Sequence, residues 1–335
     1  MKAAVIYQHG GPGCITVEPN YPDPEIADDE VLLRVRAATM NYHDIFTRQG
    51  MPGIKVPMPC IMGIDFSGTI ERVGSAVTGW AEGEAVMVNP FDLQRGLMGE
   101  MRPGGFAELC AVPMRQLIRM PVGMSFEAAA ALPAAYGTAM RLLHTIGKIK
   151  AGERILILGA SGGVGNGCVQ LAKLAGCEVA VCASTDEKLQ RLKALGADVL
   201  INYKTEDFVA AVHRHYGRPH RRSFEKGVDV VVNFTGGDTW VPSLKTLHRQ
   251  GRLITCGATA GFNPIEDIRY IWVYELQLFG SNGWTHDDLL KLVALVEKGE
   301  LAPVMHDETV ALDNINEAFR LLEERLAFGK VVVKA

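Results

Sequence analysis

The stretch from Ile155 to Gly165, ILILGASGGVG, constrains this chain more than any other. An unbroken apolar run ending in glycine reads as a strand buried on both faces, as in a parallel sheet. Gly159, Gly162 and Gly165 follow, and a helical stretch runs on to about Ala175. In that setting Gly162 and Gly163 let the backbone approach a pyrophosphate. The helix N-terminus, from Gly163 and Val164 onward, offers free N–H groups and positive potential, and Gly165 allows helix to pack closely on strand. The spacing is one residue off the usual G-x-G-x-x-G, with Ser161 where the second glycine stands.

The segments around this loop repeat its logic. Glu178–Ala183, Val199–Asn202, Val228–Asn233 and Gly251–Cys256 read as strands. Between them lie helical stretches, one capped by Thr185 with Leu189, Leu192 and Leu195 on one face and Gly196 at its end. This alternation predicts an α/β fold with a Rossmann-type, doubly wound parallel sheet. The first 120 or so residues differ. They are rich in Val, Gly and Pro, with short strand-like runs at Lys2–Tyr7, Glu30–Ala38, Gly68–Val73 and Ala85–Val88, and one helix near Tyr42–Gln49. We expect residues 125–267 to form the dinucleotide domain. Residues 1–124 and 268–335 should form a β-rich catalytic domain, with helices near 286–298 and 314–324 and a closing strand, Lys330–Val333.

The second strand chooses the nucleotide. An NAD site usually has Asp or Glu at its end, about 20 residues past the glycine loop. Here the strand ends Val181-Cys182-Ala183-Ser184, with no carboxylate. Asp186 and Glu187 fall in the first turn of the next helix, where the dipole favours them. Ser184 leaves room for a 2′-phosphate and Lys188 can bind it, which points to NADP(H).

Composition excludes several other classes. The chain has 335 residues and a net charge of −4, which gives no general attraction to nucleic acid or an anionic membrane. Its seven cysteines are odd in number and form no C-x-x-C pair, which argues against a disulfide framework or a four-thiolate zinc site. No signal peptide is evident, and no apolar run approaches the roughly 18 residues that span a bilayer. Reduced thiols fit the cytoplasm. The basic stretch from His213 to Lys226 reads as a solvated loop, with a basic patch for an anionic substrate such as the nucleotide end of coenzyme A as the alternative.

In order along the chain stand NYHDIFTRQG (41–50), GIDFSG (63–68), GGFAE (104–108), AAALPAAYGTA (129–139), the glycine loop, INY (201–203) and FGKVVV (328–333). Together they resemble the medium-chain dehydrogenase/reductase family, specifically its zinc-free quinone oxidoreductase and enoyl reductase-like branch. The resemblance implies a GroES-like fold for the β-rich domain. It implies that Lys188, Tyr203 and Arg325 grip the 2′-phosphate and that Thr138 lies near the nicotinamide. Cys256 and Gly257 would lie along the cofactor, Phe279, Gly280 and Ser281 would meet its carboxamide, and Lys330 is assigned to the cofactor as well. Such relatives usually dimerise by joining sheet edges, here near residues 256–281.

Zinc-dependent relatives place a Cys at the position of Asn41, a His at Ile64 and a further ligand near Ala134. Only Asp65 could serve as a ligand among these neighbours, and the Pro90–Gly105 stretch lacks cysteine, so no metal is expected. Without a Lewis acid, hydride addition to a quinone or an activated C=C is the accessible chemistry. Tyr42 is the leading proton donor or orienter, with Asn41 as a neutral hydrogen-bond donor, and Tyr136, His43 and Tyr274 stand behind them. Asp44 and Arg48 are expected to hold their loop by an ion pair. Met51, Met62, Phe91, Phe262 and Trp284 could line an apolar substrate pocket. The expected activity is NADPH-dependent reduction of quinones or enones. Reduction of an enoyl-CoA or acryloyl thioester is an alternative, and an NADPH-binding sensor without turnover is another.

Overall fold

The computed structural model describes residues 1–335. The chain divides into two compact units, Met1–Ala135 with Leu289–Ala335, and Tyr136–Asp288.

In the first unit, Glu30–Thr39 is the organising strand. It pairs antiparallel with Asp65–Val73, with Leu109–Pro113 and with the C-terminal strand Lys330–Lys334, within a seven-stranded sheet. The register sets Thr39 opposite both Asp65 and Val332. Alternation along each strand then puts Ala37, Thr39, Asp65, Ser67, Lys330 and Val332 on one face. The helix Phe126–Ala131 covers that face, with Ala130 packed on Ala37 and Val332 and Phe126 beside them. The opposite face carries Ala38, Phe66, Val331 and Val333 into the main apolar core, with Phe106 and Phe319 edge to face at 6.5 Å.

Pro133 cannot donate a backbone bond and crowds the preceding turn, so the helix after Ala131 opens into a π-turn at Leu132–Tyr136. The wide turn leaves the Ala134 N–H directed at Asp65 Oδ1, 2.8 Å away, while the Ala130 carbonyl accepts from Thr39 Oγ1 at 3.0 Å. A break in the helix thus delivers a backbone donor to a buried carboxylate.

The second unit is a six-stranded, all-parallel sheet. Its spatial order is Val199–Asn202, Glu178–Ala183, Arg154–Ile157, Val228–Val232, Leu247–Thr255, Gln277–Gly280. Numbered along the chain this is 3-2-1-4-5-6, the doubly wound order of dinucleotide-binding sheets. The sixth strand moves the expected boundary at residue 268. Leu253, Ile254 and Thr255 pair with Leu278, Phe279 and Gly280, so the segment after 267 continues this sheet. The unit ends near Asp288, which accepts from Thr145 Oγ1 at 3.0 Å.

Candidate active site

The glycine loop and the segments holding Ser184, Tyr203, Cys256 and Ser281 leave the carboxyl ends of the parallel strands, the end at which such sheets bind ligands. After Ile157, Gly159 turns with φ +68° and Gly162 starts the helix Gly163–Leu174. A Cβ on Gly165 would sit 2.5 Å from Ala160 Cα and Gly159 O, so only glycine permits this approach. Buried Asn166 ties the loop down through its Nδ2, which donates to Ala160 O at 3.1 Å and Gly162 O at 2.9 Å. The N–H groups of Gly163, Val164 and Gly165, in the first turn, point out of the helix end toward an anion.

Ser184 is half-buried at the end of the second strand, and Thr185 caps the following helix by accepting from Lys188 N. Asp186 turns aside to accept from Asn202 Nδ2 at 2.7 Å. Lys188 is half-buried, and that burial pulls its ammonium below the ordinary lysine range. Tyr203 follows the third strand, its N–H donating to Ala183 O. Cys256 and Gly257 follow the fifth strand, where Thr255 Oγ1 donates to Gly257 O at 3.0 Å. Ser281 follows the sixth and is held by Thr255 O, and its buried Oγ has no hydrogen-bond partner within the protein. A buried hydroxyl left without a partner, at the same carboxyl end of the sheet as the glycine loop, fits a bound amide-bearing nucleotide. Thr138 is half-buried in the helix Gly137–Met140 of the same unit. Arg325 belongs to the other unit, where it is exposed with φ +58°.

The first unit contains a buried polar cluster. Lys330 Nζ lies 2.9 Å from Asp65 Oδ2 and 2.5 Å from Asn41 Oδ1. Asn41 Nδ2 donates to Asp65 Oδ2 at 2.9 Å and to Thr39 O at 3.3 Å. The ammonium fixes which way the amide points, because the opposite orientation would set NH2 against NH3⁺. Both Asn41 N–H groups are therefore spent inside the protein, and Asn41 acts as a brace rather than as the free donor expected for it. Lys330 is likewise held by Asp65 and Asn41, almost closed to solvent, instead of standing open as a cofactor contact.

Asp44 and Arg48 do not pair. Asp44 is fully buried and accepts backbone N–H groups from Asn41, Gly63 and Ile64 at 2.8–3.3 Å. Burial still pushes its carboxyl up to about 6. Arg48, closed to solvent, reaches Glu323 instead at 2.5 Å, with its guanidinium over the Phe319 ring. Tyr42 is half-buried at the first helical position, edge-on to Phe46 at 5.3 Å. His43 Nε2 meets Glu100 Oε2 at 2.5 Å. Tyr136 and Met62 are core residues, and the Tyr136 hydroxyl accepts from Gln170.

Residues 27–122 match the family described as alcohol dehydrogenase GroES-like domain, and residues 163–298 the family described as zinc-binding dehydrogenase. An NADPH-dependent alkenal/one oxidoreductase, chloroplastic, of Arabidopsis thaliana is 33% identical over 338 residues, spanning 99% of this chain and 79% of that protein. An acryloyl-coenzyme A reductase of Sulfurisphaera tokodaii is 29% identical over 332 residues, 93% of this chain and 94% of that one. A crystal structure of an NAD-dependent alcohol dehydrogenase superposes with a TM-score of 0.92 at 34% identity, covering 100% of both chains.

The chain belongs to the medium-chain dehydrogenase/reductase family.

It is an oxidoreductase of that family, with the GroES-like domain and the parallel-sheet domain its sequence predicts. At the positions where the resemblance implied zinc ligands in other family members, this chain has Asn41 and Ile64, with Asp65 engaged by an ammonium. No three His, Cys, Asp or Glu side chains gather anywhere in a metal-binding group. The lobe from Pro90 to Gly105 is tied by charge instead of by thiolates. Asp92 meets Arg115 at 2.5 Å, and Glu30 meets Arg102 at 2.6 Å and Arg95 at 3.1 Å. Neither these pairs nor Lys330–Asp65 and His43–Glu100 are local along the chain, so no sequence pattern signals them.

Proposed function

We propose that this protein is a zinc-independent, NADPH-dependent reductase of C=C bonds conjugated to a carbonyl, with enones and quinones as acceptors. The observation that carries this reading is the Lys330 ammonium braced between Asp65 and Asn41. A cation there opposes a divalent metal, and a single carboxylate cannot supply the three ligands that catalytic zinc needs. Alcohol oxidation would lack its Lewis acid, whereas a conjugated acceptor spreads developing charge onto its own oxygen. The similarity to an alkenal/one oxidoreductase and an acryloyl-coenzyme A reductase supports the same class of acceptor.

When bound, NADPH supplies the hydride. The glycine loop and helix N-terminus hold its pyrophosphate, Ser184 and Lys188 receive the 2′-phosphate with help from Tyr203 and Arg325, and Ser281 Oγ meets the carboxamide. Thr138, Cys256, Gly257, Phe279 and Gly280 line its path. Tyr42 orients the acceptor, with Asn41 holding the start of its helix.

An enoyl thioester is the second reading, favoured by the similarity to the acryloyl-coenzyme A reductase. The dense basic segment does not serve it. Residues 213–226 lead into the amino end of the strand Val228–Val232, the opposite end of the sheet from the glycine loop, and Arg214 is spent on Glu206. We also propose a homodimer joined through Gln277–Gly280, an edge strand paired on one side only. Sedimentation velocity tests it, and a monomer at micromolar concentration would refute it.

The function is tested by following NADPH and NADH oxidation, with and without EDTA, against benzoquinone, an α,β-unsaturated ketone and crotonyl-CoA. EDTA-insensitive, NADPH-preferring turnover of the enone or quinone is expected. Turnover that is lost with EDTA, or only of alcohols, would overturn it.

A further inference from the structure

We propose that His43, held by Glu100, is the general acid that delivers the proton completing reduction of the acceptor. The inference rests on the reductase reading above and adds to it the source of the proton.

Two histidines in the chain are paired with carboxylates, and they differ in one respect. His248 has both ring nitrogens taken, Nε2 by Asp229 and Nδ1 by Arg249 O, at the amino end of the parallel strands, away from the glycine loop. His43 has one nitrogen taken. Its Nε2 is bound to Glu100, whose side chain is 7% exposed, while the ring itself is 30% exposed and Nδ1 has no partner in the protein. A buried anion therefore grips one side of the ring and the other side is open to an incoming atom.

Burial disfavours the charged ring, but its carboxylate neighbours outweigh burial and favour the imidazolium. Glu100 and, more weakly, Asp44 hold its pKa above the ordinary histidine value even though burial acts against it. The short strand Cys60–Ile61 contributes only Cys60, whose thiol donates to Gly99 O and Glu100 O and is pushed by burial to about 12, so it stays neutral. Lys330 acts on Asp44 rather than on His43. His43 follows Asn41 and Tyr42 at the start of the same helix, and that start is fixed to the buried cluster through Asn41. Among the groups around the cluster, His43 combines a titratable ring, solvent access and an unspent N–H.

Hydride from NADPH forms a C–H bond at the carbon β to the carbonyl, and the C=C π pair moves toward the carbonyl oxygen. The Nδ1–H bond of His43 breaks as an O–H or Cα–H bond forms, leaving neutral imidazole and NADP⁺. Solvent returns the proton to His43, and Glu100 remains a carboxylate throughout. A quinone makes less use of this proton, because the hydroquinone anion is a much weaker base than an enolate.

The test compares the wild type with His43→Gln and Glu100→Gln in the full-length protein, using NADPH with an enone and, separately, with benzoquinone. For His43→Gln, kcat with the enone should fall about 100-fold, within the range of general acid catalysis. The fall with benzoquinone should be much smaller and the NADPH Kd unchanged. An acid must be protonated to act, so wild-type kcat should decline as pH rises through the His43 pKa. Glu100→Gln removes the anion that raises that pKa, and the alkaline limb should move to lower pH. Equal losses on both acceptors with an unmoved pH profile would show a structural role and overturn the proposal, as would full enone turnover by His43→Gln. If the wild type reduces neither acceptor, the reductase reading fails first and the proposal falls with it.

Discussion

Lys330 Nζ stands 2.9 Å from Asp65 Oδ2 with side chains 3% and 0% exposed, a charge pair sealed inside the β-rich unit. Desolvating two ions is costly, and the cost is met here by Asn41, Ala134 N–H and Thr39 around them. Lys330→Met should strand the Asp65 carboxylate and cost about 3–5 kcal/mol of stability. Adding Asp65→Asn to it should recover most of that loss. Urea unfolding of the single and double variants measures both effects, and additive losses would show that the pair is not coupled.

Lys188 is predicted to read the 2′-phosphate. A charge-assisted hydrogen bond is worth about 1.5–3 kcal/mol, so Lys188→Ala should raise the NADPH KM by at least about tenfold. NADH should be used as before. Steady-state kinetics with both nucleotides decide it, and equal loss for the two would assign Lys188 to the helix surface.

Asp44 gives a pH signature. Its carboxyl is pushed up to about 6 in the folded protein from 3.8. Between those values the folded state binds more protons at this residue, so its contribution to stability is fully present below about pH 4 and is lost as pH rises through 6. Asp44→Asn should lack that downward slope, so the stability difference between variant and wild type should change between pH 4 and 6. It should also lower stability overall, since an amide cannot accept from all three backbone N–H groups. Thermal unfolding from pH 4 to 7 measures both, and parallel curves would contradict the assignment.

The sheet-forming half was readable because its signals are local. Most of its strands contain a short apolar run, and the loop from Gly159 to Gly165 announces its own turn. Gln277–Gly280 was misplaced because an edge strand carries no apolar run, and its membership shows only in pairing with Leu253–Thr255. The expectation for Asp44 and Arg48 is that they hold their loop by pairing with each other. Tertiary partners won instead, with Gly63 and Ile64 N–H for one and Glu323 for the other. The Asp65–Lys330 pair spans 265 positions and follows from the register that sets Thr39 opposite both Asp65 and Val332. That register is a property of the assembled sheet, which no local pattern carries.

The central claim is hydride delivery from NADPH to a conjugated carbon without a metal. The most direct test is reduction of an α,β-unsaturated ketone by NADPH deuterated at nicotinamide C4, in the presence of EDTA, with the product read by NMR. The account predicts a saturated ketone carrying deuterium on the carbon β to the carbonyl. An allylic alcohol with deuterium on the carbonyl carbon, or turnover only after zinc is added, would contradict it.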